Sequence, residues 1–196
     1  MQAKDIETRQ SAVAIYYYLL EYNNLESIVK KIYKASWSDI DNEVKNRVMF
    51  YSGGMTMESR FIEYDSYEVV RERVPYRVEQ ILNRLTLNQV MRLEKHDRQL
   101  GDLNFNIQSY KEKMTVYPCV DCILKLINMR NILAHNMVDL DFKEKHKIET
   151  LSNQAITSNS ISWIEDFDLE RLNESTRDIL SNYIFMEHIL EILRSK

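Results

Sequence analysis

Three side chains in one short stretch have the types that phosphate chemistry asks for: Arg130, Asn131 and His135. Arginine keeps its charge at any working pH, and its planar fork matches the oxygens of a phosphate or carboxylate. Histidine exchanges a proton near neutrality. Asparagine can orient the histidine or the phosphate by hydrogen bonds. Around them, Ile123, Leu126, Ile127, Leu133, Ala134, Met137 and Val138 recur three and four apart. That spacing predicts a helix from Pro118 to about Val138, with one apolar stripe.

Arg130 falls within the stripe. An unpaired guanidinium is costly to bury, so the helix should there meet a carboxylate, a second chain or an anionic ligand. Asn131 and His135, four apart, share a neighbouring face. Arg130 and His135 are five apart, roughly 140° round an ideal helix. The two can reach one ligand if the helix ends near His135, or if a second copy brings the faces together. A structural role also fits: an ion pair from Arg130 to Asp121 or Glu149, and a histidine placed favourably at a helix end.

The pattern Arg130-Asn131-x-x-Ala134-His135 resembles the Arg-polar-x-x-x-His signature of the HEPN superfamily. Its members are small all-helical domains, many of them metal-independent endoribonucleases in toxin–antitoxin, abortive-infection and CRISPR-associated systems. The Arg, the Asn after it and the Ala before the His match the commonest form. The resemblance implies an all-α antiparallel bundle of HEPN type with additional helices, formed by residues 1–196 as one domain. It implies Arg130, Asn131 and His135 as catalytic residues, with no cofactor and no metal.

RNA carries its own nucleophile, the 2′-OH. Cleavage needs a base for that proton, an acid for the leaving 5′-oxygen and a cation for the phosphorane charge. One chain offers one motif histidine for two proton transfers. A two-fold homodimer would set His135 against its copy and Arg130 against its copy. The superfamily forms such composite sites, and a restraining antitoxin, often nucleotidyltransferase-like, accompanies many members. Two other classes remain: a non-catalytic HEPN-like domain that binds nucleotide or RNA, and a helical module whose apolar stripe mediates assembly.

Composition sets bounds. The chain of 196 residues holds 3 Gly and 2 Pro, which favours long helices over turns. No apolar run reaches a membrane-spanning length, and the first residues lack the apolar core of a secretory signal. A cytoplasmic protein without a membrane partner is expected. Net charge is −4; residues 1–149 carry 22 charges of each sign, and the rest 4 basic against 8 acidic. No global basic field gathers nucleic acid, so local arginines would have to hold RNA. Arg73, Arg77 and Arg84, spaced four and seven, form one candidate RNA-backbone face, partly neutralised by Glu72 and Glu79. A solvated face is the alternative.

Other motifs read as structural. A redox reading of Cys119-x-x-Cys122 would need a preceding strand and a βαβ context; Pro118 reads instead as opening a helix at its first turn, and one such pair is half a zinc site at most. Ser52-Gly53-Gly54 lacks the Lys-Ser/Thr of a phosphate loop. Tyr16, Tyr17 and Tyr18 point three ways on a helix, which favours packing over base stacking. His96, His146 and His188 have no motif around them.

For the elements, residues 5–21 predict a helix broken at Asn23-Asn24 and resumed over 25–34, with Lys30, Lys31 and Lys34 towards solvent. Ser38 or Asp39 predicts a cap for a helix to about Tyr51, and 55–85 reads as mainly helical, with Pro75 kinking it. Thr86 predicts a cap for a helix over 87–100, ended by Gly101. Residues 105–114 read as a short helix or loop, 142–151 as helix, and 152–167 as a long loop or small hairpin. Asp166 or Asp168 should start the last helix, which packs through Leu169, Leu172, Ile179, Tyr183, Leu190 and Leu193.

Overall fold

The structure, a computed structural model, describes residues 3–36, 82–83, 85–95, 98–108, 114–135, 151, 156–157, 160–164 and 167–195. The readings of 38–51, 52–54, most of 55–85 and 142–150 lie outside them, as do Arg73, Arg77, Arg84, His96 and His146. Four α-helices and one two-stranded sheet make up the regular structure among the described residues. In chain order these are α1 (Ala3–Ala35), α2 (Leu87–Met91), β1 (Asn104–Gln108), β2 (Met114–Pro118), α3 (Cys119–His135) and α4 (Glu174–Arg194), with 3₁₀ turns at Leu93–Lys95 and Leu169–Arg171. The described residues are mainly helical rather than all-α.

The chain divides into two compact units: Met1–Leu25 with Leu103–Lys196, and Glu26–Asp102. In the first, α1 contributes Ala14, Ile15 and Tyr18 to the core, α3 contributes Cys122, Ile123 and Leu126, and α4 contributes Leu180, Met186 and Ile189, all buried. Helices α3 and α4 pack together. Polar contacts set the register of α1 on α4: the hydroxyls of Ser11 and Thr176 share a buried hydrogen bond of 2.7 Å. The hairpin joins through Phe105, whose ring meets Phe185 of α4 edge-on at 5.7 Å.

In the second unit, Thr86 closes a capping box on α2: its hydroxyl accepts from the Gln89 amide, and Gln89 Oε1 accepts from the Thr86 amide at 2.8 Å. Leu87, Val90 and Leu93 are buried beside it. Glu94, 5% exposed, accepts the Tyr33 hydroxyl and, at 3.0 Å, the Leu100 amide. These bonds satisfy a carboxylate that burial would otherwise penalise.

Several expectations need correcting. Helix α1 runs through Asn23-Asn24 without a break. Asparagine is a mediocre helix former, not a breaker like proline, and Asn24 Nδ2 donates to Glu21 Oε2 within the helix at 2.9 Å. Buried Tyr22, Leu25 and Val29 carry the packing face across the pair. Strand β1 occupies residues predicted as short helix or loop: Phe105 pairs with Tyr117 and Asn106 with Val116, antiparallel. The capped helix after Thr86 stops at Met91 rather than reaching Leu100, and the chain tightens into the 3₁₀ turn beside Glu94. Pro118 ends β2 instead of opening the next helix, so a strand does precede Cys119-x-x-Cys122, though it belongs to an antiparallel hairpin and not to a βαβ unit, and the Cys119 amide donates to Leu103 O at 2.8 Å. Asn173, not Asp166 or Asp168, caps the last helix, accepting from the Thr176 amide at 2.8 Å. The predicted packing face of α4 is otherwise found, with Ile179, Tyr183, Leu190 and Leu193 buried; Leu172, also buried, and Leu169, half-buried, precede the helix. Among the described residues of 152–167 no strand forms.

Candidate functional site at the end of α3

Helix α3 is written by its sequence: leucine, isoleucine, methionine and lysine are good or fair helix formers, and Asp121 lies in the first turn, where a carboxylate favours the helix dipole. Cys119, Cys122, Ile123, Leu126, Ile127, Met129 and Leu133 are buried. By helical angle Arg130 belongs at the centre of this set, yet Arg130 and Ala134 are exposed. The buried stripe therefore breaks off around Arg130 on that side of the helix. The guanidinium reaches water while its stem starts from the apolar face, a common solution for long cationic side chains.

Two contacts hold the guanidinium. It lies over the ring of Tyr22 in α1, 5.9 Å from the centroid, within cation–π range. Its NH1 donates to Asn131 Oδ1 at 3.3 Å. Among the described residues no carboxylate pairs with it; in particular Asp121 does not. Glu149, the other candidate partner, lies outside the described residues. Asn131 is exposed beside Arg130. His135 is the last described residue of α3, and its side chain is outside the description. The structure thus brings Arg130 and Asn131 together on one exposed turn.

The helix beneath them is fixed by buried polar contacts. Tyr18, fully buried, donates its hydroxyl to Leu126 O at 3.0 Å. Burial, with Tyr22 nearby, pushes the Tyr18 phenol well above its ordinary pKa, so it stays a neutral donor. Asn182 of α4, 1% exposed, donates to Met129 Sδ at 3.0 Å and accepts the Leu151 amide at 2.9 Å. Sequence reasoning passed over Tyr22 and Asn182. The signal for Tyr22 was its spacing of four from Tyr18, which puts both rings on one face of α1.

The two cysteines are thiols, not joined in a disulfide, and both are fully buried. Burial pushes the Cys122 thiol up to about 12, with Asp121 adding to the rise and Lys125 opposing it. Cys122 therefore acts as a small apolar residue at the start of α3, and Cys119 is buried beside it. His188 is exposed and meets the Phe105 ring edge-on. The consecutive tyrosines separate as their helical angles require: Tyr16 is 60% exposed, Tyr17 stacks on Trp163 with centroids 4.1 Å apart, and Tyr18 is core. Among the described residues no cluster of three or more His, Cys, Asp or Glu side chains could hold a metal, and no helix is long and apolar enough to cross a membrane. No family model, no curated protein and no solved structure matches the chain.

Proposed function

We propose that the protein is a metal-independent endoribonuclease of HEPN type, a toxin or antiviral-defence effector working in the cytoplasm. The observation that carries this reading is Arg130: a permanent cation on an otherwise apolar helix face, exposed, tied to the motif asparagine and paired with no described carboxylate. A guanidinium so placed is available to an anion, and a phosphodiester fits its fork.

In this scheme one His135 takes the proton from the ribose 2′-OH. The freed oxygen attacks phosphorus, and the bond to the 5′-oxygen breaks. A second His135, from the partner of a homodimer, protonates that leaving oxygen. Arg130 binds the scissile phosphate and the charge that builds on it. Asn131 orients the guanidinium, whose NH1 it accepts. The products carry a 2′,3′-cyclic phosphate and a 5′-OH. A nucleotidyltransferase-like antitoxin is the proposed restraint on uncontrolled cleavage.

The test is purified protein with total RNA in EDTA. The wild type should produce fragments with cyclic phosphate ends. Arg130→Ala and His135→Ala should each lower the rate at least about 100-fold, as removal of a transition-state donor or of a proton-transfer group does. If the wild type cuts nothing but binds RNA through Arg130, the domain is a non-catalytic binder. If both substitutions leave cleavage intact, the site is elsewhere.

A further inference from the structure

Two tyrosines of α1 converge on Arg130 from beneath. Tyr18 and Tyr22 are four apart, one above the other on the same helix face. In an α-helix the carbonyl of Leu126 accepts the amide of Arg130. That same carbonyl accepts the Tyr18 hydroxyl at 3.0 Å, in a fully buried setting. One turn further along α1, the Tyr22 ring, 4% exposed, lies under the guanidinium at 5.9 Å. One tyrosine therefore grips the backbone turn from which Arg130 springs, and the next offers a surface to its head group.

We propose that Tyr18 and Tyr22 are positioning residues that hold the Arg130 guanidinium ready for a phosphodiester. An unsupported arginine on a helix surface samples many rotamers, and ordering it on ligand binding opposes binding. A ring beneath one face restricts that freedom and leaves the edge donors free to point outward. The cation–π attraction does not consume those donors, as a carboxylate would. Tyr18 acts through the backbone: its bond to Leu126 O fixes the height and rotation of α3 on α1 at the functional turn. Its phenol stays protonated at working pH because burial raises its pKa, so the grip does not titrate.

The role of phosphate ligand rests on the ribonuclease reading; the seating of the side chain does not. The experiment therefore has one arm that needs no RNA. In wild-type protein the Arg130 Nε–Hε resonance should lie upfield of free arginine, shielded by the Tyr22 ring. Tyr22→Phe should keep that shift, and Tyr22→Leu should abolish it. Tyr18→Phe should move the Arg130 backbone amide, whereas Tyr22→Phe should not. An Arg130 resonance at the free position in the wild type overturns the proposal without any variant.

The second arm measures a short labelled single-stranded RNA by anisotropy in a His135→Ala background. Tyr22→Leu should weaken binding about 2–5-fold, the factor an exposed cation–π contact carries, and Tyr22→Phe should not. Equal binding by Tyr22→Leu and wild type overturns the phosphate-positioning role. If the resonance arm succeeds and the wild type binds no RNA, the seat stands and the nuclease reading fails with its phosphate.

Discussion

Asn182 is the side chain whose loss should disturb the fold most for its size. It sits in the core of α4 with its amide oxygen on the Leu151 amide and its nitrogen on the Met129 sulfur. Asn182→Ala strands a buried N–H and opens a cavity, each a recognised source of large destabilisation. The expected cost is about 2–3 kcal/mol, or a Tm lower by about 5–10 °C in a thermal melt. A fall of less than about 2 °C would show that water or another group replaces the amide. The cysteines allow an opposite kind of check. With Cys122 buried and its thiol held near 12, thiolate is scarce and inaccessible. Iodoacetamide at pH 8 should leave both cysteines unmodified in native protein and label both in denaturant.

Among the elements, α1 shows where local propensity misleads. Asn23-Asn24 looked like a stop because asparagine favours turns and caps. The helix continues because Tyr18, Tyr22, Leu25, Val29 and Tyr33 form an unbroken buried face on either side of the pair, and tertiary packing outweighs a few tenths of a kcal/mol of propensity. Asn23 is exposed and mid-helix, so Asn23→Ala should stabilise the protein by about 0.5 kcal/mol, whereas Asn23→Pro should cost about 3 kcal/mol or more. Chemical denaturation of the two variants reads the difference directly. The hairpin was legible in principle. Thr115-Val116-Tyr117 is a run of strand formers, and Phe105 and Ile107 alternate with polar residues. Helical composition elsewhere hid it. The end of the capped helix at Met91 was not legible, because it accompanies contacts of Glu94 with Tyr33, distant in sequence, and with Leu100. For the candidate site, the apolar periodicity predicted the helix that carries Arg130 and Asn131. It could not show that α1 supplies the surface under the guanidinium.

The contact of α4 with α1 carries a pH response. Tyr183 donates to Glu187 Oε1 at 2.8 Å, and Arg194 lies 4.0 Å from Glu21. Partial burial raises the Glu187 pKa above 4.5; Glu21 and Glu191 add to the rise, while the Tyr183 hydroxyl and Arg194 oppose it. The folded state then holds this proton more tightly than the unfolded chain. Folding is favoured while Glu187 is protonated, and that advantage is lost as pH rises from 4.5 through the folded pKa. At neutral pH the ionised carboxylate is a mild burden. Glu187→Gln should raise Tm at pH 7 by about 1–2 °C and flatten the decline of Tm with pH just above 4.5. An unchanged slope would place the response in another group.

At the scale of the whole molecule, charge and stoichiometry constrain the proposed activity together. The net charge of −4, with the acidic excess after residue 149, supplies no long-range attraction for RNA. Binding must rest on few cations, so the logarithm of affinity should fall with the logarithm of salt at a shallow slope, near −0.7 for each phosphate neutralised on a single strand. Arg130→Ala should reduce that slope by about one such increment. Stoichiometry gives the sharper prediction. Each chain has one motif histidine, and the scheme assigns proton removal and proton delivery to different copies. Activity per chain should then fall on dilution below the dimer dissociation constant, because association is a mass-action equilibrium. Cross-titrating wild type with excess His135→Ala discriminates the cases. If both histidines of a pair are required, excess variant captures wild-type chains in dead pairs and activity collapses. If one histidine suffices, activity per wild-type chain holds or rises as dilution is overcome. A rate strictly proportional to wild-type concentration, indifferent to dilution and to added variant, would mean that one chain does the chemistry alone and that a group other than the second His135 delivers the proton.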